Sequence, residues 1–353
     1  MRHVPGERPN TEGRDRANYA RPRRRRDRSR RGVKVARSGD PRALFDAACA
    51  ADRGALARLL SFVERGGAEA REIARLASPR VGHAYVVGIT GAPGAGKSTL
   101  TSAVIGVLRG RGMRVGVLAI DPSSPYTGGA ILGDRVRMQD HAHDEGVYIR
   151  SMATRGHLGG LALATSEAIR VLDATGRDVV LVETVGVGQV EVEVAGKADT
   201  TVVVVNPGWG DAVQANKAGL LEIADVFAIN KADRDGVEGT RRDLQAMLEL
   251  TEFAAGEWVP TITSTVGTTG EGVESLVDAV FAHRAAANAS GDTARRREVR
   301  RGEELREIVE RRLEARAREV CSGDEWSQLD AQVRSGAVDP WTAADRMLRG
   351  ISA

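Results

Sequence analysis

Eight consecutive residues, Gly91-Ala92-Pro93-Gly94-Ala95-Gly96-Lys97-Ser98, fit the pattern G-x-x-x-x-G-K-[ST]. At that spacing the glycines let backbone N–H groups curl around a phosphate, and a following helix adds the positive end of its dipole. Lys97 would reach the β- and γ-phosphates. Ser98 would offer its hydroxyl to Mg²⁺, and Thr99 continues the first helical turn. An apolar run, Tyr85-Val86-Val87-Gly88-Ile89-Thr90, precedes the glycines, and an amphipathic stretch over 97–109 follows them. That strand–loop–helix context turns the pattern into a nucleotide-phosphate site.

A second cluster, Asn230-Lys231-Ala232-Asp233, follows the apolar run at 226–229. A carboxylate placed like Asp233 can accept from the N1–H and the exocyclic amine of guanine, while the Lys231 stem covers the ring. Adenine has an acceptor at N1 and lacks that amine, so a buried Asp233 would repel it. Asn230 would tie this loop to the phosphate loop. Ser264, with Thr265 and Val266, lies between an apolar stretch at 259–262 and Gly270, where a further loop could flank the base.

Glu183-Thr184-Val185-Gly186 ends another apolar run. A carboxylate there can hold Mg²⁺ through water, and the Gly186 N–H can meet the γ-phosphate. Val187 rather than Gln follows that glycine, and Gln189 comes two residues later, so Gln189 is a candidate for positioning water without the usual spacing. Asp121 ends the second apolar run, at the rim where nucleotide chemistry occurs in parallel sheets, and Asp134 follows thirteen residues on. Both could serve Mg²⁺ or the attacking water. Arg155, in a Gly-rich stretch, could stabilise transition-state charge. His141, His143, Asp144 and Glu145 lie close together, but with no Cys nearby their spacing suits a transition metal poorly.

The elements that must position these residues follow from periodicity. Apolar runs at 85–90, 114–120, 179–182, 201–205 and 226–229 read as buried parallel strands, with helical stretches such as 161–172 and 211–221 between them. Strands alternating with helices predict an α/β fold, a parallel sheet with helices on both faces. Residues 41–82 read as a short N-terminal helical segment, 83–290 as the nucleotide domain and 291–353 as a C-terminal helical arm. The arm's long helix over 295–320 is highly charged, with a thin apolar stripe at Leu305, Ile308, Val309 and Leu313. Such a stripe asks for a partner surface.

Composition narrows the setting. The 353 residues are 42% hydrophobic, ample for a core, and carry 51 Lys and Arg against 48 Asp and Glu. Residues 1–35 hold twelve Arg and one Lys against four acids, a local +9 that leaves −6 for the remainder. Residues 1–40 read as a solvated Arg-rich tail, and nucleic acid is not expected as a partner. Two cysteines, and no apolar run near the length that crosses a bilayer, predict a cytoplasmic protein without a membrane anchor.

Taken together, the sequence resembles the methylmalonyl-CoA mutase-associated GTPases, the MeaB/ArgK family, from about residue 56 to residue 316. The resemblance rests on the 91–99 loop, Asp121-Pro122-Ser123-Ser124-Pro125, the stretch from Thr127 to Asp134, the stretch from Val182 to Gln189, and the 230–233 cluster. Val190 and His157 depart from the residues common in the family. The resemblance implies a P-loop NTPase fold and Mg²⁺-dependent GTP hydrolysis. It also implies a chaperone role toward an adenosylcobalamin-dependent acyl-CoA mutase, gating cofactor loading from an adenosyltransferase and protecting the mutase. Finally, it implies a homodimer built through the C-terminal arm. It places Lys97 and Ser98 on phosphate and Mg²⁺, Asp121, Asp134 and Glu183 on the metal and switch, and Asp233 on the base. The competing readings are a GTPase metallochaperone, which would want a Cys/His metal motif, and a transport-linked ATPase or kinase, which Asp233 argues against.

Overall fold

A computed structural model describes residues 39–121, 139–153, 158–184, 196–208, 222–254 and 256–349, with backbone alone at 121, 139, 153, 158–162 and 349. Seven parallel strands form one sheet: β1 (Tyr85–Gly91), β2 (Val115–Asp121), β3 (Val147–Ala153), β4 (Val179–Thr184), β5 (Thr200–Val205), β6 (Val226–Asn230) and β7 (Thr261–Thr265). Their order is β3-β2-β4-β1-β5-β6-β7. From β1 the chain builds one side of the sheet, returns to β4, and then builds the other side. The change of direction falls at β1, where open parallel sheets bind ligands beyond their carboxyl ends.

Strands β1, β4, β5 and β6 are buried at every position, which is why they are written as unbroken Val/Ile/Leu runs. Helices α4 (Lys97–Gly110) and α7 (Val273–Ala289) cover one face. Leu100, Val104, Ile105 and Leu108 meet Leu276, Val277 and Val280 there, over Val87, Ile89, Leu181 and Val202. Helices α5 (Leu158–Ala174) and α6 (Val237–Glu249) cover the other. Leu244 packs with Val203, Val205, Phe227 and Ile229, and Gly116 leaves room for Leu172, whose Cδ1 would lie 2.9 Å from a Cβ at that glycine.

Three short helices, α1 (Pro41–Cys49), α2 (Arg53–Arg65) and α3 (Ala68–Ala77), stand before the sheet. Asp40 and Asp52 cap the first two, accepting from Arg42 and Ala43 N–H and from Gly54 and Ala55 N–H. Leu56, Leu59, Leu60, Val63 and Ile73 are buried, with α2 and α3 set against α5. Arg150 of β3 reaches out to Glu64 of α2 at 2.8 Å.

The 29-residue helix α8 (Asp292–Val320) returns along the amino-terminal edge of the sheet and is seated there by charge. Arg297 and Arg300 close on Asp199, Arg296 on Asp225, Lys197 on Glu307, and Arg170 on Glu304. The predicted apolar stripe points elsewhere: Leu305, Val309 and Leu313 are 64%, 47% and 62% exposed. Helices α9 (Asp324–Arg334) and α10 (Pro340–Arg349) close a small core of Leu329, Ala343 and Met347, while Trp341 remains outside it.

Candidate functional site

All seven strands run the same way, so their carboxyl ends share one edge, and most of the predicted chemistry lies along it. β1 runs directly into the phosphate loop. Gly91 has φ +136°, and a Cβ there would stand 2.1 Å from the Val204 carbonyl of β5, so only glycine can sit between the strands at this turn. Gly96, at φ +87°, opens α4. A Cβ on it would meet Asn230 Nδ2 at 2.5 Å.

That last contact joins two segments far apart in sequence. Asn230, at the end of β6, donates from Nδ2 to the Ala95 carbonyl at 2.8 Å. Its Oδ1 accepts from Gly267 N–H at 3.1 Å and from Thr265 Oγ1 at 3.3 Å. One buried amide thus spans the phosphate loop, the end of β6 and the loop after β7. Lys231, held at φ +60°, donates from Nζ to the Gly94 carbonyl at 2.6 Å. Its aliphatic stem therefore crosses between the two loops. Asp233 is exposed, and its carboxylate has no hydrogen bond or ion pair with a described residue. A base lying on the Lys231 stem could claim it.

Lys97 Nζ donates to the Gly91 carbonyl at 2.6 Å and to the Ala92 carbonyl at 3.1 Å, which fixes the ammonium inside the loop's curve. Ser98 Oγ donates to Glu183 Oε1 at 2.6 Å, both side chains buried where β4 ends beside α4. A hydroxyl and a carboxylate in contact are hard oxygen donors of the type Mg²⁺ takes, so the pair fits that ion. Beside them, Thr184 Oγ1 donates to Thr90 Oγ1 at 3.1 Å and locks β4 to β1 behind the loop.

Residues 264–266 divide. Ser264 lies within β7, and its Oγ accepts from Arg241 Nη2 at 2.7 Å, so it is already engaged. Thr265 is fully buried and pairs in register with Asn230. The Thr265 carbonyl accepts from Ala232 N–H at 3.0 Å, so Thr265 and Gly267 both hold the 230–233 loop. Gly267 belongs to no motif in the sequence although it holds Asn230; a Cβ there would stand 3.1 Å from Leu100 N, so the loop closes on α4 only because it carries no side chain. Asn206, just past β5, is likewise new, with Nδ2 3.5 Å from the Gly94 carbonyl.

Asp121 ends β2 on this same edge, and nothing beyond its backbone is described. Asp134, Arg155, Gly186 and Gln189 lie outside the described residues, as does the helical stretch expected over 211–221. The acidic and imidazole residues after 139 separate. His141 Nε2 meets Ser102 of α4 at 2.9 Å through its carbonyl, while Asp144 pairs with Arg109 at 2.7 Å. No group of three metal-ligating side chains forms among the described residues.

Comparison with known proteins agrees with this arrangement. Residues 56–322 match the family model described as methylmalonyl Co-A mutase-associated GTPase MeaB. A Pyrococcus abyssi protein carrying a provisional GTPase name is 50% identical over 302 residues, covering 85% of this chain and 93% of its own. GTPase ArgK of Escherichia coli is 38% identical over 73% of this chain and 80% of its own. The mouse methylmalonic aciduria type A homolog, a mitochondrial protein, is 33% identical over 84% and 76%. Among solved structures, one titled LAO/AO transport system kinase superposes with a TM-score of 0.67 at 26% identity, covering 90% of this chain and all of the other. With the G-x-x-x-x-G-K-S loop carried between β1 and α4 of a parallel sheet, the chain is a P-loop GTPase belonging to the methylmalonyl-CoA mutase-associated MeaB family.

Proposed function

We propose that this GTPase is a nucleotide-controlled chaperone of an adenosylcobalamin-dependent acyl-CoA mutase of the methylmalonyl-CoA mutase type. In this reading it gates cofactor loading from an adenosyltransferase, protects the mutase and works in the cytoplasm as a homodimer. The mutase partner is supported by the family match and by the mouse relative's name. One observation carries the guanine switch at its centre: Asn230 and Lys231 bond directly to the phosphate loop, so base recognition and phosphate binding are one rigid unit.

Within that reading, Lys97 neutralises the β/γ-phosphates. The loop from Gly91 to Thr99 supplies N–H groups, and Lys231 and Asp233 hold guanine, with 264–266 flanking it. Ser98 and Glu183 would hold Mg²⁺, joined by Asp121 and Asp134, and the ion would supply positive charge to the phosphate oxygens. Arg155, Gly186 and Gln189 are assigned to the hydrolytic switch. Co-purification from the native host, once with GDP and once with a non-hydrolysable GTP analogue, tests the partner. An acyl-CoA mutase retained in one nucleotide state and released in the other is the expected result. Its absence in both would remove the mutase from the proposal.

A further inference from the structure

We infer that Arg177, Arg114 and Arg53 form a binding site for a phosphate-type oxyanion at the amino-terminal edge of β2, β3 and β4, the edge opposite the nucleotide loops. Each arginine is placed by the start of a strand. Arg177 stands two residues before β4 and Arg114 one residue before β2. Arg53 opens α2 and donates to the carbonyls of Asp144 at 2.9 Å and Val147 at 2.8 Å, at the start of β3.

Arg177 carries the argument. It is 5% exposed, and its Nε and Nη1 atoms are buried with no hydrogen bond to a described residue. Arg114 lies over the neighbouring turn: a Cβ on Gly176 would stand 3.1 Å from Arg114 Nη1. Among the described residues, no carboxylate lies within ion-pair distance of any of the three guanidinium groups. The nearest acid in sequence, Asp178, spends Oδ2 on the Arg114 backbone N–H at 2.6 Å. Burial, reinforced by the charges of Arg114 and Arg53, pushes the Arg177 guanidinium down to about 10.

A buried charge without a counterion is costly to hold, and such a group at an open edge is a candidate ligand site. Arg109 and Asp144 beside Arg53 neutralise each other, while Asp178 and Asp52 spend carboxylate oxygens on backbone N–H groups, so no carboxylate is committed to the Arg177 guanidinium. A phosphate-type oxyanion would supply that negative charge. Phosphate also presents several oxygens to the forked N–H groups of arginine. Free phosphate and the phosphoryl group of a monoester share this chemistry.

The test is thermal unfolding of the full chain and of Arg177→Met and Arg114→Ser, each in chloride, inorganic phosphate and glycerol phosphate at matched ionic strength. Any anion held by the P-loop shifts all three proteins alike, so the difference between them isolates this corner. The wild type should gain about 4 °C near tenfold saturation, and both variants should lose that gain. A response to both phosphates points to a bound monoester headgroup, and a response to inorganic phosphate alone points to the free ion. In chloride, Arg177→Met should melt at or above the wild-type temperature, because it removes a buried unpaired charge. Wild-type melting that is the same in all three salts, or an undiminished phosphate gain in Arg114→Ser, would overturn the site. That second variant replaces a half-buried side chain, so it decides the matter even if Arg177→Met does not fold.

Discussion

Asp233 is exposed at the lip of the site, and in the proposed function its carboxylate takes its hydrogen bonds from guanine. With adenine, an acceptor would face that carboxylate and one further bond would be missing. Two unsatisfied groups cost about 2–6 kcal/mol, and roughly 3 kcal/mol corresponds to a hundredfold in affinity. GTP and GDP should therefore bind about a hundredfold tighter than ATP and ADP, and Asp233→Asn should move the preference toward xanthine nucleotides. Equal heats and affinities for the two purines in calorimetry would remove Asp233 from the base. The phosphate end makes a separate prediction. Lys97→Ala should nearly abolish turnover, since it deletes the ammonium fixed inside the loop, and Glu183→Ala should slow steady-state hydrolysis more than Gln189→Ala. Greater loss in the Gln189 variant would make that residue, not the Ser98–Glu183 pair, the main determinant of hydrolysis.

The elements repeat this division between what is written in apolar pattern and what is written in charge. The seat of α8 is charged, and its acids respond to pH in opposite directions. Burial pushes Asp199 up, but Arg297 and Arg300 outweigh it and hold its carboxyl below the usual 3.8. Its stabilising contribution is present above that value and is lost as pH falls through the depressed one. Glu167 of α5 behaves the other way: burial, with Glu304 beside it, pushes its carboxyl up to about 7 from 4.5. The folded chain then holds an extra proton between those values, so this group lowers stability as pH rises from 4.5 to 7. Glu167→Gln should raise the melting temperature at pH 8, by up to about 2 kcal/mol of stability, and change little near pH 4.5. Equal effects at both pH values would mean that the carboxyl is not held protonated by the fold.

The same contrast explains which elements the sequence revealed. The five interior strands were legible because both faces are covered, which demands continuous apolar runs. The two strands that apolar runs did not mark as such, β3 and β7, are the two edges of the sheet. β3 carries Arg150, turned out to Glu64, and β7 is Thr261-Ile262-Thr263-Ser264-Thr265, half-buried along most of its length. In the site, Lys97, Ser98 and Asn230 were legible because they fall in two short motifs at strand ends, which the structure brings into contact. Gly267 was not, since it serves another side chain rather than a ligand.

At the scale of the whole molecule, the seat of α8 changes how the proposed dimer must be tested. The apolar stripe asks for a partner surface, which a second copy or the rest of the same chain could supply. The helix does fold back, but with its arginines, and leaves Leu305, Val309 and Leu313 facing outward. At about 25 cal/mol per Å², covering such a row is worth several kcal/mol, and a matching row on a second chain would cover it with two-fold symmetry. Cutting the chain after residue 290 would also strip Arg297 and Arg300 from Asp199, whose side chain is 1% exposed, and Arg296 from Asp225. Taking the arginine partners from those acids costs about 3–5 kcal/mol, so a truncated chain could fail for reasons unrelated to assembly. Leu305→Glu, Val309→Glu and Leu313→Glu together keep the charged seat and remove only the outward row. Light scattering at micromolar concentration should find the wild type dimeric and this triple variant monomeric, with GDP binding and melting of the nucleotide domain preserved. A wild type that is already monomeric would sink the dimer, and the exposed row would then have no part in self-association.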